Sequence, residues 1–258
     1  MKIITSIFII IFINVNLFAQ INMVIKKTDN SKTSIPISEI DSVYYGSGCG
    51  MVTDYDGNIY QTIIIGTQCW MKEDLKVTHY PNGDPIPNIT DNTVWDYLQD
   101  NKTDDAYCFY NNDNTTDYGG LYTYAAAIGD NWERDNSNGQ GVCPDGWHLP
   151  TDAEWTILTD YLGGENIAGG KMKEIGTIHW ISPNTDADNS SGFTGLPGGY
   201  RYYDNGPFNA MGEESYWWTA TVYDSYRCDY RKLSYNYATV NNFHYNMSCG
   251  FSVRCVRN

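Results

Sequence analysis

The chain has 258 residues, 16 basic and 31 acidic side chains, a formal charge of −15 and 15% aromatic residues. That charge excludes a nucleic-acid partner, whose phosphates need Lys and Arg to neutralise them, and it disfavours an anionic membrane surface. The aromatic content excludes a disordered chain, and 22 Tyr beside 24 Gly read as a polar, loop-rich, mostly β protein.

Residues 1–20 read as a secretory signal. Lys2 is the charged start, Ile3 to Phe18 is an apolar run, and Ala19 is a small residue suited to cleavage. The expected mature N-terminus is Gln20 or Ile21, and the mature chain is expected outside the cytoplasm, secreted or at the cell surface. The apolar run falls short of the ~20 residues a membrane span needs, and no second run follows, so no membrane insertion of the mature chain is expected. Residues 21–50 read as a small β-hairpin extension and a Gly-rich linker. Met23 to Lys26 and Ile35 to Ile40 flank the turn cluster Asp29-Asn30-Ser31, and Gly46 to Gly50 is the linker.

Residues 51–258 read as one domain. Asp56-Gly57 is a hairpin turn between Val52–Tyr55 and Ile59–Ile65, and Cys69–Met71 is a further strand. Residues 81–92 are loop, Cys108–Tyr110 is a short strand, and Asn111 to Asp117 is a polar loop. Gly120 to Ile128 is Ala-rich and reads as a short helix. Thr151 to Leu162 is a clearer one. Thr151 can cap it, Glu154 can close a capping box, Trp155, Leu158 and Leu162 share a face, and Gly163-Gly164 stops it. A third helix is expected over Ala168 to Glu174. From Gly198 the pattern is β, with strands at Tyr216–Val222, Tyr226–Tyr237 and Cys249–Val256. In the last, Cys249, Phe251, Val253 and Cys255 alternate with Gly250, Ser252 and Arg254, so the first set faces the core.

All seven Cys lie beyond the signal, and none form a C-x-x-C, so disulfides are the default in an oxidising compartment. Seven is odd, and Cys49, in the Gly-rich linker, is the expected unpaired thiol.

Seven runs, in order, resemble one family: DYDGNIYQTIIIGTQCWMKEDLK from Asp54, YGGLYTYAAA from Tyr118, CPDGWHLPTDAEW from Cys143, AGGKMKE from Ala168, GFTGLPGGYR from Gly192, SYWWTAT from Ser215 and GFSVRCVR from Gly250. They are similar to the Fibrobacter succinogenes major paralogous domain, over about Met51 to Asn258. That family is similar to the formylglycine-generating (sulfatase-modifying) enzymes and through them to the C-type-lectin-like fold. The resemblance implies an α+β, C-type-lectin-like domain, with two or three short helices packed on twisted, mostly antiparallel sheets with long loops. It also implies a disulfide from Cys143 to Cys255, because that fold commonly ties its helical part to its final strand. Cys69 with Cys108 and Cys228 with Cys249 are the next expected bridges.

The enzymes of that resemblance bind copper through two cysteines a few residues apart before the closing strand. Here Cys228 stands alone there, so no catalytic residue and no such activity are expected. G-x-S-x-G, H-E-x-x-H and G-x-G-x-x-G are absent. Gly169-Gly170-Lys171 only imitates the end of a phosphate loop, the four His are scattered, and Glu213-Glu214 and Asp104-Asp105 read as solvated acids. No cofactor is expected. Calcium is the one open candidate, in the oxygen-rich loops Asn111–Asp117 and Asp186–Asn189.

Aromatics crowd residues 200–245, interleaved with Asn, Ser, Asp and Arg, a composition that suits a binding face. Tyr202, Tyr203, Trp217, Tyr226 and Tyr230 are its expected binding residues, while Trp147, Trp155 and one of Trp217 and Trp218 are expected in the core. The functional expectation is a non-catalytic binding module whose partner is a glycan or a cell-surface protein. The alternatives are a diverged oxidase of the formylglycine-generating type, a glycan-active hydrolase, or a structural surface module.

Overall fold

The computed structural model describes residues 22–26, 32–36, 49–129 and 139–258. The secretory-signal reading of residues 1–20 and the turn at 29–31 lie outside the described residues. The chain divides into two units, Met1–Gly46 and Ser47–Asn258. In the first, β1 (Asn22–Lys26) pairs antiparallel with β2 (Lys32–Pro36), Asn22 opposite Pro36 and Lys26 opposite Lys32.

The second unit is α+β and mostly strand. One five-stranded sheet runs in the order β3 (Met51–Thr53), β4 (Ile59–Ile65), β5 (Gln68–Met71), β14 (Val256–Arg257), β8 (Trp147–His148). The other runs β10 (Phe208–Met211), β9 (Gly198–Arg201), β11 (Glu214–Val222), β12 (Arg227–Ser234), β13 (Asn241–Asn246). A two-stranded piece joins β6 (Tyr107–Phe109) to β7 (Gly120–Tyr122). Within these sheets only β9 and β11 pair in parallel. The α-helices among the described residues are short: α1 (Asn92–Asp96), α2 (Tyr124–Ile128), α3 (Asp152–Tyr161) and α4 (Glu165–Met172).

Helix α3 carries the capping box read from the sequence. Thr151 accepts from the Glu154 amide, and the Glu154 carboxylate accepts from the Thr151 amide at 2.8 Å. Its buried Trp155 packs on Trp70, Phe193 and Trp217 at ring distances of 4.8, 5.8 and 5.8 Å. Helix α4 begins three residues before the expected Ala168. Its Gly169 and Gly170 are required by close approach, since a Cβ there would lie 2.6 Å from the Thr239 carbonyl oxygen and 2.5 Å from that of Asp186. The apparent phosphate-loop glycines are therefore packing glycines.

Three expectations need correction. Gly120–Tyr122 is strand and not helix, because Tyr122 exchanges both backbone bonds with Phe251, and Thr123 caps α2 only afterwards. Helix α1 stands at the end of the expected 81–92 loop, capped by Asp91, which accepts from the Thr93 and Val94 amides. The segment Cys249–Val256 is not one strand. It threads between the sheets, bridging Arg201 from Gly250, Tyr122 from Phe251 and Trp217 from Ser252 before joining β5 and β8. Ser252 and Arg254 are buried together with the alternate set, because both sides of the segment are covered.

Both Trp217 and Trp218 are buried, not one of them. Adjacent residues of β11 face opposite sides, and each side has its own apolar cluster: Trp217 joins Trp70, Trp155 and Phe193, while Trp218 joins Tyr124, Phe251 and Val253. Trp147 and Trp155 are buried as expected.

Cys143 and Cys255 are disulfide-bonded, with Cα atoms 6.0 Å apart. The other pairings differ. Cys49 is not the odd thiol: its amide donates to Thr62 Oγ1 at 3.0 Å, which holds it beside β4, and it bridges Cys69 with a Cα separation of 6.2 Å. Cys108, left without Cys69, is a buried thiol beside the Arg201 guanidinium. Cys228 and Cys249 are also buried thiols, since Cys228 faces the Tyr124 hydroxyl and Cys249 the Tyr203 backbone.

Candidate functional site

The aromatic residues picked from the sequence do not form one face. Trp217 is 1% exposed because its ring packs against Trp155 and Phe193, at 5.8 and 5.7 Å, and Tyr230 is 8% exposed because it packs against Phe251, their rings 5.0 Å apart. Neither can present its ring to a ligand. Tyr202 and Tyr203 are half-buried and pack with Tyr245 in tilted and edge-on contacts, at ring distances of 4.6 Å for Tyr202–Tyr203 and 6.0 Å for Tyr203–Tyr245. The bond to Tyr202, with burial behind it, pushes the Tyr203 phenol up to about 12. Tyr226 is 66% exposed and has no ring contact with the other four among the described residues.

An open cavity lies elsewhere. A groove of about 490 Å³ is formed by five segments. Asp56 and Asn58 come from the β3–β4 turn, Lys76 and Thr78 from the chain after β5, Asn88 and Thr90 from the loop before α1, Tyr107 and Phe109 from β6, and Asn112 and Asn114 from the polar loop that follows.

Each wall is held from behind. Asp54 accepts from the Asn58 amide, the Asn58 side chain and the Tyr60 hydroxyl at 2.9, 2.9 and 2.6 Å, which fixes the turn. Gly57 at φ +82° sits where a side chain would be strained. Asp56 accepts from the Thr78 amide at 2.5 Å and the Thr78 hydroxyl at 2.9 Å, and pairs with His79 Nδ1 at 2.6 Å. Burial pushes this carboxyl up, but the Thr78 and His79 bonds outweigh it and hold it below the usual carboxylate range.

The opposite wall hangs on Arg201, which is fully buried. Its guanidinium donates to the Ile89 and Thr90 carbonyls at 2.5 and 3.2 Å and to the Asn92 side chain at 2.9 Å, and lies 4.2 Å from the Trp95 ring centre. The Asn112 amide donates to the Thr90 carbonyl at 3.4 Å, and Asn112 adopts φ +60°, a left-handed conformation that Asn tolerates. By contrast Lys76, Asn88 and Asn114 have no side-chain hydrogen bond or ion pair to other described residues.

The other candidates are already engaged. Glu214 pairs with Lys232 at 2.8 Å and accepts from the Tyr216 hydroxyl, while Asp105 accepts from the Tyr80 hydroxyl at 2.7 Å. His148 bridges Glu154 and Asn258 at 2.8 and 2.6 Å, and His179 pairs with Glu174 at 2.8 Å. Of the two calcium loops, Asp113 accepts from Thr115 and Asp188 from Ser190. Among the described residues no group of three His, Cys, Asp or Glu is placed to hold a metal ion.

A family model described as the Fibrobacter succinogenes major domain matches residues 63–257. The chain belongs to that family. No curated protein and no solved structure matches it. The matched span of this family member holds both five-stranded sheets apart from β3 and the first residues of β4, and eight of the ten groove residues, from Lys76 to Asn114.

The sequence drew attention to rings and left the groove unremarked. Its signal was available in the strings NIT at Asn88–Thr90 and NNDNTT at Asn111–Thr116, polar runs on either side of β6. What the sequence did not show is that Arg201, 111 residues beyond Thr90, holds the first of them in place.

Proposed function

We propose that the chain is an exported, non-catalytic binding module with a C-type-lectin-like fold, whose partner is a glycan or a protein of a cell surface. The observation that carries this reading is the groove: an open cavity whose walls are anchored and whose Asn88 and Asn114 amides and Lys76 ammonium have no partner among the other described residues. Rigid walls with unsatisfied polar side chains favour a ligand, because little ordering is needed on binding. Two disulfides, and the lack of any helix among the described residues long and apolar enough to cross a membrane, are compatible with export. Asp104, Asp105, Glu214, His79, His148 and His179 are tied into structural bonds, which favours binding over hydrolysis.

Protein recovered from outside the cytoplasm should begin at Gln20 or Ile21 by N-terminal sequencing; an intact Met1 would refute export. On a glycan array and in pull-downs from cell-surface extracts, that protein should retain a partner. Blank results on both would leave a structural surface module.

A further inference from the structure

We propose that the groove between Asp56 and Asn114 is the ligand site and that its ligand is a neutral oligosaccharide. This rests on the binding-module reading and narrows it to one place and one chemistry.

Size comes first. A cavity of about 490 Å³ falls within the roughly 300–1,000 Å³ of small-ligand sites, far more than an ion needs. Charge comes next. The groove carries one carboxylate, Asp56, and one ammonium, Lys76, so its walls are balanced, while the chain as a whole is strongly acidic. Acidic sugars would meet that field without a compensating cluster of cations, and so would phosphorylated ligands.

Hydrogen bonding favours hydroxyls. The Asn88 and Asn114 amides each offer two donor hydrogens and an acceptor oxygen, and the Thr90 hydroxyl can do either. A sugar hydroxyl also donates and accepts, so it can satisfy both halves of such an amide. The Asp56 carboxylate has about four lone-pair sites. Thr78 and His79 take three, which leaves room for one more donor. The half-buried Phe109 ring supplies the apolar patch against which the C–H face of a pyranose packs. The site is also preorganised, since Arg201 fixes the loop of Asn88 and Thr90 while making no direct claim on either side chain.

The test runs a glycan array of neutral and acidic oligosaccharides against the full chain and three variants: Asn88→Ala/Asn114→Ala, Phe109→Ala and Tyr203→Ala/Tyr226→Ala. Titration calorimetry then measures the strongest hit. The expected result is neutral hits only. Each Asn contributes about a two- to tenfold share of the affinity, as one net hydrogen bond would. The Tyr pair should leave binding unchanged. Thermal melting of the Asn variant should match the parent, since both residues are exposed, so a loss of binding there is not unfolding. Neutral binding that survives Asn88→Ala/Asn114→Ala but fails in the Tyr variant would overturn the groove and leave the glycan-module reading standing. Acidic hits alone would overturn the neutral ligand. An array blank for the parent, with a protein captured from surface extracts, would overturn this inference and keep only the protein branch of the module reading.

Discussion

The aromatic face and the polar groove are built from opposite materials, and they put them to opposite uses. Residues 200–245 hold a concentration of rings, yet most of these rings touch one another: Tyr216 lies 4.6 Å from Tyr200, 5.6 Å from Tyr230 and 5.1 Å from Phe251. Tyr216, Trp217, Trp218 and Tyr230 are buried, so their faces are covered and their area is already removed from water, while Tyr223, Tyr226, Tyr237 and Phe243 stay exposed. The groove is lined mostly by polar residues, and its Lys76, Asn88 and Asn114 side chains make no hydrogen bond or ion pair to other described residues. A composition suited to binding is thus also a composition suited to packing, and only the three-dimensional partners of each residue separate the two.

The largest effects are expected where the aromatic region is packed most tightly. Trp217→Ala should destabilise the fold by about 3–5 kcal/mol in urea denaturation, the range for emptying a buried large aromatic site. A cost under 1 kcal/mol would mean that this ring is not part of the core. Cys143→Ala/Cys255→Ala should cost about 2–5 kcal/mol, because the bridge ties the chain before α3 to the segment that covers the aromatic face. A fold unchanged in stability would show that the segment holds itself.

Acidity sharpens the contrast from both ends. Burial, aided by the Glu214 bond, raises the Tyr216 phenol well above its ordinary range, and burial raises Tyr230 too. For a raised group the stabilisation is complete below the unfolded value near 10 and is lost as pH climbs past it. Phenolate absorbance from these rings should therefore appear together with unfolding above pH 10, and not before it. Asp56 is lowered, so its contribution is present above the unfolded value near 3.8 and is lost as pH falls below it. The Thr78 amide resonance should shift in that acid window and nowhere else; a shift centred above pH 5 would contradict the bonding described. At the weak end, Tyr226→Ala, on an exposed ring, should change stability by no more than about 0.5 kcal/mol.

Local chemistry was readable and long-range burial was not. Thr151 with Glu154 announced α3, and Asp56-Gly57 announced its hairpin, because caps and tight turns are decided within a few residues. The Cys143–Cys255 bridge came through family resemblance, whereas Cys49–Cys69 was hidden because a Gly-rich neighbourhood says nothing of where its cysteine packs. Alternation in Cys249–Val256 correctly placed Phe251 and Val253 inside, but it could not show that Arg254 is buried as well, paired with the equally buried Asp74 at 2.6 Å. The same limit hid the groove: Asn88 and Asn114 look like any loop amides until Arg201 and β6 bring them to one cavity.

The most direct test of the account is a crystal structure of the full chain with the strongest neutral oligosaccharide from the array. Sugar density is expected in the groove, with hydroxyls within hydrogen-bond reach of the Asn88 and Asn114 side chains and a ring face against Phe109. Sugar density on Tyr202 and Tyr203, or on Tyr226, with the groove holding only solvent, would contradict it.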